Sequence, residues 1–579
     1  MQKKQTILVV ASLLLIVLSV TLAYFTAQII GKGKNVTINS ADLKIIFTDN
    51  DGSISGTNIE PGKWNVTKTF TIENKSNETY KYNIVIQDLV NTFVTNGYLQ
   101  YKITSTNGGY NMTEFKDVPK SETPTDTILA YSASIDVGVT QIYTVEFIYK
   151  NDESVDQSDD MGKTLSGKLF ITEGTVKPTT LYEQILADNP TIKTRTTFTA
   201  FTETNTGTLY KATEQIGTNP VKDVYYFAGD AKNNWVKFGK TPESSCTYKE
   251  KELFVYNDLG FKNVENQTEC ETYLICNYGA SGPILVENSS ICSGSNMTIL
   301  TEKATWNGTT TKDIYWRIIR TNHDGSIKLL YAGTSPDTTR GYIRKIKFNT
   351  PANDPMYVGY KYGTSGSLEN NRLNTKDSTI KTYIDNWYKN NLTAYTKYLS
   401  NDAVYCNDRN LASGQTYSTS TTSSFNYASV ERIETNKQPT YNCTNMKDAF
   451  SVNNTSAKLD YPIGLMTIDE LSYAGGDSDT DLTAPYAWYY TNANGKSITG
   501  SESFWSLTPN GWHGSFSGSN VSDVWLSSNM LTNGFLYNLS AVNELALRPS
   551  VSLSSCNLIS GGDGSANNPY VIKTDGSSC

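Results

Sequence analysis

Hydrophobic and polar residues alternate with a period of two in the first third of the chain. The segment KWNVTKTFTIENKSNETYKYNIVIQDL (63–89) places Val66, Phe70 and Ile72 on one face of a strand. The pattern resumes with Tyr80 after the polar turn ENKSNE, and similar runs continue to residue 174. Strands at this spacing, with no helical pattern between them, predict an antiparallel β-sandwich over residues 34–175.

Helical periodicity first becomes clear much later in the chain. In STIKTYIDNWYKNNLTAYTKYLS (378–400), an apolar stripe with helical spacing follows a capping pair, Asp377 and Ser378. The members of this stripe are Ile380, Tyr383, Ile384, Trp387 and Leu392. MTIDELSYAG (466–475) predicts a second short helix, with Thr467 as its cap and Gly475 as its stop.

Two hairpins are predicted at the start of the C-terminal half. VYYFAGDAKNNWVKFGK (224–240) is the first, and KDIYWRIIRTNHDGSIKLLYAG (312–333) is the second. Gly325 suits a turn position with positive φ in the second hairpin. The preceding TLYEQILADNP predicts a short helix inside a linker that spans 176–219.

The N-terminus predicts a route out of the cytoplasm. Lys3 and Lys4 precede an apolar run, 7–25, which is just long enough to span a bilayer. Residues 1–33 are therefore predicted to be a signal peptide or a membrane anchor, and both alternatives stay open.

Composition and cysteine usage agree with an extracellular protein. Charged residues make up 18% of the 579-residue chain, the net charge is −8, and no long basic run exists, which disfavours nucleic acid as a partner. The eight cysteines form no CxxC pair and predict disulfides in an oxidising compartment. They are Cys246, Cys270, Cys276, Cys292, Cys406, Cys443, Cys556 and Cys579. The first four lie in an insertion, about 241–311, where three pairings are open. Cys406 and Cys443 flank a Ser/Thr-rich loop that a bridge between them would close, and Cys556 and Cys579 in the tail are candidates to pin the end of the chain.

Catalytic and metal-binding patterns are weak in this sequence. The two histidines are His323, interpreted as a solvated turn residue, and His513. No phosphate-binding loop is present, and no pair of carboxylates is singled out by its spacing. We therefore predict no enzymatic activity, no catalytic residues, no cofactor and no metal site. An enzyme remains an open alternative.

The N-terminal region resembles the camelysin family of Gram-positive surface proteins and biofilm-matrix fibres. The shared features are TLAYFTAQ at the end of the apolar run and a Pro-Gly before the strands in IEPGKWNVTKTFTIENKSNETYKYNI. The resemblance covers about residues 1–175 and implies a structural surface or biofilm-fibre protein as an alternative function. A zinc-ligand set is not carried over, because this region contains no histidine.

The C-terminal region resembles bacterial domains with the C-type lectin-like fold, including the family of formylglycine-generating enzymes. The order of elements and the closing pattern FWSLTP…ALRPSV carry this resemblance over about residues 220–555, followed by a tail, 556–579. No cysteine lies between Cys443 and Cys556, so the formylglycine-generating activity is not carried over. The Glu-Pro-Asn and Trp-Asn-Asp motifs of animal C-type lectins are also missing.

One branch of that fold, the variable proteins of diversity-generating retroelements, matches the segment 510–543. Those genes rewrite adenines, chiefly in Asn codons, which cannot become Lys, Gln, Glu, Met or Trp. The segment contains no Lys, Gln or Glu, as this rewriting requires. Trp512, Trp525 and Met530 would be fixed positions, because Trp and Met cannot arise from an Asn codon in this way. Its mixture of Ser, Asn and Gly with single large residues is typical of a binding face. Trp505 is predicted to be a core residue, and Arg548 a buried structural arginine.

The sequence thus predicts a multidomain protein with an N-terminal membrane segment, an all-β sandwich and an α+β C-type lectin-like domain. We expect a receptor- or adhesin-like surface protein that binds an extracellular protein or glycan through loops between Pro509 and Leu545. The predicted ligand contacts are His513, Ser515, Phe516, Ser519, Asn520, Asp523, Asn529, Asn533, Phe535, Tyr537 and Asn543.

Overall fold

The structure, a computed structural model, divides the chain into two compact units, Met1–Pro178 and Thr179–Cys579. It describes residues 26–27, 36–38, 41–47, 53–56, 59–75, 77–174, 178–199, 206–257, 260–279, 282–478, 487–514, 518–525 and 535–576.

The described part of the first unit is built from β-strands that form two antiparallel sheets. In chain order the strands are β1 (Thr26–Ala27), β2 (Val36–Ile38), β3 (Ala41–Phe47), β4 (Ser53–Gly56), β5 (Asn65–Asn74), β6 (Tyr80–Asn91), β7 (Leu99–Ser105), β8 (Lys116–Asp117), β9 (Ser121–Ile135), β10 (Thr140–Tyr149) and β11 (Leu165–Glu173). One sheet has the order β1-β11-β6-β9, with β4 also on β11, and the other has the order β2-β3-β5-β10-β7-β8. Residues of both sheets share one core, as the alternating pattern predicts for a sandwich.

The predicted N-terminal membrane segment is not supported by the structure. Its apolar run, 7–25, lies outside the described residues. Among the residues that are described, no helix is long and apolar enough to cross a bilayer.

The second unit combines many short strands with six α-helical segments in its described part. In chain order its strands are β12 (Thr191–Thr194), β13 (Thr208–Glu214), β14 (Lys222–Tyr226), β15 (Trp235–Tyr248), β16 (Lys251–Glu252), β17 (Phe254–Asn257), β18 (Gly260–Asn263), β19 (Leu274–Tyr278), β20 (Pro283–Val286), β21 (Met297–Leu300), β22 (Thr305–Thr321), β23 (Ile327–Tyr331), β24 (Lys345–Lys347), β25 (Lys361–Tyr362), β26 (Lys376–Asp377), β27 (Tyr405–Cys406), β28 (Ser424–Asn426), β29 (Ala449–Phe450), β30 (Ile463–Gly464), β31 (Phe504–His513), β32 (Gly518–Trp525), β33 (Phe535–Ser540), β34 (Glu544–Ala546), β35 (Ser550–Leu553), β36 (Ile559–Gly561) and β37 (Tyr570–Ile572). The helices are α1 (Leu181–Asp188), α2 (Gln267–Thr272), α3 (Leu368–Asn371), α4 (Thr379–Asn391), α5 (Ala428–Val430) and α6 (Ile468–Tyr473).

The main sheet of this unit confirms one predicted hairpin and corrects the other. β22 and β23 pair antiparallel around a turn in which Gly325 has φ +77°, as predicted. β14 and β15 do not pair with each other, because β22 lies between them and pairs with both. Alternating patterns identified these strands but not their partner, which follows after the whole inserted module.

The predicted insertion is a separate module at the far end of the long β15–β22 hairpin. Its five-stranded sheet has the order β18-β17-β20-β19-β21. Two disulfides, Cys246–Cys270 and Cys276–Cys292, lie within it and settle the pairing that the sequence left open. The predicted Cys406–Cys443 bridge also forms. It is expected to stabilise the unit by about 3–4 kcal/mol. Cys579, the other cysteine of the tail, lies outside the described residues.

Both predicted helices of the C-terminal region are confirmed, including their caps. The Ser378 hydroxyl accepts a hydrogen bond from the Lys381 N–H at the start of α4. Thr467 and Glu470 form a reciprocal capping box at the start of α6.

The predicted linker and tail are instead parts of the folded second unit. Leu181 and Ile185, one helical turn apart on α1, are buried in its main core, and β12 and β13 join the main sheet. In the tail, Tyr570 is fully buried and β37 pairs with β15. Sequence inspection missed both because the strands concerned are only three to seven residues long.

Candidate functional site

The segment predicted to bind a ligand forms part of a mixed sheet, in which β31 and β34 pair parallel and the other strands pair antiparallel. Its strand order is β24-β34-β31-β32-β33, and β28 also pairs with β31. β31 runs from Phe504 through Pro509 to His513. Because β31 is a central strand, its residues from Phe504 to Trp512 are all buried. The prediction that an exposed surface begins directly after Pro509 is therefore wrong.

Two predicted ligand contacts on β32 are buried scaffold residues. The Ser519 hydroxyl donates to the carbonyl oxygen of Asp354 at 2.6 Å, and its N–H donates to that of Ala352 at 2.9 Å. The Asn520 amide donates to the Asn538 side-chain oxygen at 3.0 Å. Neither side chain is available to a ligand, because both are buried.

The large residues around this sheet have structural roles. Trp505 is buried and its indole N–H donates to the Ile346 carbonyl, which confirms the core prediction. Arg548 is also buried, and its guanidinium donates to backbone carbonyls of Tyr331 and Tyr489, as predicted. Trp512 was expected among the exposed contacts as a fixed anchor. It is fully buried instead, with its indole N–H 3.1 Å from the Ser420 carbonyl.

Tyr537 is the predicted contact that the structure places clearly at the surface. Its side chain is 46% exposed, whereas its neighbour Leu536 is 3% exposed and belongs to the core. In the strand register, Asp523 lies opposite Tyr537, and Trp525 lies opposite Phe535. We call the surface around Tyr537 the tyrosine face.

Residues distant in sequence complete the tyrosine face. Val430, Ile433 and Glu434, from α5 and the short π-helix Glu431–Thr435 after it, line a shallow depression of about 10 Å³ beside Tyr537. Sequence reasoning missed them because they precede the strand by about a hundred residues and carry no pattern that points to binding.

The predicted contacts separate into two groups at opposite ends of the sheet. Asp523 pairs with Trp505, while His513 lies eight residues further along β31. Bulges shift the register of β31, so His513 pairs with Gly518, which is five residues from Asp523 along β32. At about 3.3 Å per residue, the two ends are roughly 16 Å apart along β32. Asn543 lies towards the His513 end, where its N–H donates to Ser540. Ser515, Phe516, Asn529 and Asn533 lie outside the described residues, as does the fixed position Met530.

A buried ionic cluster fixes α6 against the main sheet behind this site. Arg320 contacts Glu214 at 2.9 Å and Glu470 at 2.8 Å, and Lys328 contacts Glu470 at 2.8 Å. Burial alone would raise the pKa of Glu470, but the charges of Lys328 and Arg320 outweigh burial and lower it. The carboxylate of Glu470 therefore stays ionised inside the protein.

The ionic cluster also corrects the interpretation of His323. This residue is largely buried, with its Nδ1 atom 3.2 Å from a Glu214 carboxylate oxygen. Burial works against its charged form, but the hydrogen bond and the charge of Glu214 raise the pKa of His323. His323 is thus a member of the cluster and not a solvated turn residue.

The loop after α6 connects the ionic cluster to the tyrosine face. The carbonyl oxygen of Asp477 accepts a hydrogen bond of 2.8 Å from the N–H of Leu536, next to Tyr537. Gly476 packs so closely that an added Cβ would lie 2.8 Å from the Leu536 side chain. The position of Tyr537 therefore depends on the position of α6.

One group of carboxylates in the described residues has the spacing of a metal site. The oxygens of Asp377, Asp385 and Asp460 lie within 4.8 Å of one another. The buried Lys381 ammonium group contacts all three, at 3.4, 2.5 and 3.3 Å. This lysine supplies the positive charge that a metal ion would bring, so the group is an ion-paired cluster.

Comparisons with known proteins identify no family. No protein-family model matches the chain, and no curated protein matches it. Among solved structures, a xanthan lyase from Paenibacillus is similar at 12% sequence identity with a TM-score of 0.14. The match covers 50% of this chain and 26% of that chain, so it spans about a quarter of the lyase. A TM-score this low carries no argument about fold or function.

Proposed function

We propose that this chain is an extracellular binding protein that recognises a protein ligand through the tyrosine face of a C-type lectin-like domain. The observation that carries the proposal is a half-exposed Tyr537 on a strand whose neighbouring residue is anchored in the core. A tyrosine on a rigid strand offers a large amphipathic contact area and loses little conformational entropy on binding.

The shape of the tyrosine face favours a macromolecule over a small molecule. The depression beside Tyr537 measures about 10 Å³, far below the roughly 300–1,000 Å³ of small-molecule pockets. A flat surface of this kind becomes a binding site when a second protein covers it. Tyrosine is also among the residues enriched in the energetic centres of protein interfaces.

The disulfides support an extracellular location for this domain. Three bridges are described, and all lie in the second unit. Disulfides persist in oxidising compartments and are rare in the cytosol. In this proposal, the N-terminal segment exports or anchors the chain, and the sandwich carries the binding domain.

We also propose that the segment 510–543 is diversified on a fixed scaffold. Burial restricts where such variation is tolerable. Trp512, Ser519 and Val521 are fully buried and should stay constant, whereas Tyr537 can change without disturbing the core.

The DNA beside the gene tests this diversification. The expected finding is a near-copy of codons 510–543 that differs only at adenines and lies next to a reverse transcriptase gene. Variant copies of the gene should differ at Tyr537 and should keep the same residues at Trp512, Ser519 and Val521. If no such copy exists, the segment is a fixed sequence and its diversification is refuted.

A further inference from the structure

A cleft of about 480 Å³ separates the inserted module from the body of the second unit, on a surface that the tyrosine face does not include. One wall is formed by α4 and the chain from 331 to 343, and the other by the module and the base of its hairpin. The volume lies within the roughly 300–1,000 Å³ typical of ligand pockets.

Aromatic side chains form much of the α4 wall. Tyr383 and Trp387, one helical turn apart, are half-buried in the cleft, and Tyr331 packs edge-on against Trp387 at 5.6 Å. Phe254 lines the opposite wall beneath the guanidinium group of Arg340. Partly exposed aromatic faces in a cleft bind flat apolar surfaces, such as the C–H faces of sugar rings.

Unused polar groups lie beside these aromatic rings. Asn386 and Asn390 occupy the same face of α4 as Tyr383 and Trp387, and both are exposed. Asn263 faces them from the module. Within the described residues, these three side-chain amides form no hydrogen bond, so each can donate to and accept from a ligand.

Carboxylate groups add further hydrogen-bonding capacity. Glu243 and Glu252 also line the cleft. Burial, followed by the negative charge of Glu243, raises the pKa of Glu252, which agrees with two neighbouring carboxylates.

The charges of the cleft limit the class of ligand. Three glutamates and two cations line it, and Lys262 is already paired with Glu265 and Glu269 at 3.0 and 2.5 Å. The excess of carboxylates disfavours phosphates, nucleic acids and acidic glycans. A purely apolar ligand would strip water from amides and carboxylates without replacing their hydrogen bonds.

We propose that this cleft binds a neutral oligosaccharide, whose ring faces pack on Tyr383 and Trp387 while its hydroxyl groups bond to Asn386, Asn390 and the glutamates. Hydroxyl groups both donate and accept hydrogen bonds, which matches amides and carboxylates in one site. This site is independent of the tyrosine face.

Calorimetric titration of the full-length protein in a polyoxyethylene detergent tests the proposal. The neutral probes are maltohexaose, cellohexaose, xylohexaose, mannohexaose and N-acetylchitohexaose, and the charged probes are hexaglucosamine and hexagalacturonate. At least one neutral probe should bind saturably, with a Kd on the order of 0.1 mM. The double variant Asn386→Ala/Asn390→Ala should weaken that binding about tenfold, because two exposed side chains lose their hydrogen bonds without disturbing the core.

Matched controls separate this site from the rest of the protein. Asn567→Ala, an exposed asparagine outside the cleft, and Tyr537→Ala should leave oligosaccharide binding unchanged. Trp387→Ala should abolish it. The proposal is overturned if no neutral probe binds, if a charged probe binds more tightly, or if the double variant binds as well as the wild type. If the tyrosine face binds no protein, the expected oligosaccharide binding is unchanged, because the cleft is a separate site.

Discussion

Replacing Glu470 by Gln is expected to lower the free energy of unfolding of the second unit by about 3–5 kcal/mol. Glu470 is 2% exposed and neutralises both Lys328 and Arg320. A glutamine keeps the size of the side chain and can still cap α6, but it leaves a buried lysine without a counter-charge. The cost therefore comes from the unpaired charge and not from a cavity.

Denaturant unfolding followed by tryptophan emission measures this loss. Eight of the nine tryptophans lie in the second unit, since only Trp64 precedes it, so the signal reports mainly on that unit. Glu287→Gln, which changes an exposed glutamate of the same unit, serves as the matched control and should have little effect. A loss of less than about 1 kcal/mol for Glu470→Gln would show that the cluster does not hold α6 in place.

Replacing Trp512 by Ala is expected to destabilise the second unit by about 3–5 kcal/mol. The side chain is fully buried in the main core, and its indole N–H bonds to the Ser420 carbonyl. Truncation leaves a large cavity, which accounts for most of the loss, because the Ser420 carbonyl keeps its hydrogen bonds from the N–H and hydroxyl of Ser423. Thermal and denaturant unfolding of the same variant give the magnitude.

The outcome for Trp512 decides between two roles for this residue. If the Trp512→Ala protein is stable but no longer binds its ligand, Trp512 is an exposed ligand contact, as the sequence suggests. Strong destabilisation would instead assign it to the scaffold, as its burial indicates.

Local sequence patterns predicted the individual helices, strands and turns better than they predicted which strands and cysteines pair. The caps at Ser378 and Thr467, the turn at Gly325 and the alternating strands of the sandwich all depend on residues close in sequence. The pairing of β14 and β15 with β22 depends on residues far apart, which periodicity does not report. The disulfide partners in the module were undetermined for the same reason.

The candidate sites show the same limit. Ser519 and Asn520 have the composition of a contact surface, yet both are buried, Ser519 against Asp354 and Asn520 against Asn538. In α4, Tyr383 and Trp387 were assigned to the buried stripe, but with Asn386 and Asn390 they form a second stripe with helical spacing that faces the cleft. The helical spacing of these aromatic and amide residues was visible in the sequence. It indicates a binding site only when the inserted module is known to lie opposite this face of α4.

Comparing the full-length wild-type protein with Tyr537→Ala tests the proposed function most directly. Both proteins are immobilised, exposed to bacterial surface extracts, and assayed for direct affinity to each captured protein after its purification. We expect equal unfolding midpoints and a specific protein ligand that the wild type binds at least tenfold more tightly than Tyr537→Ala. Unfolding of the Tyr537→Ala protein, or equal affinity of both proteins for every captured ligand, would contradict it.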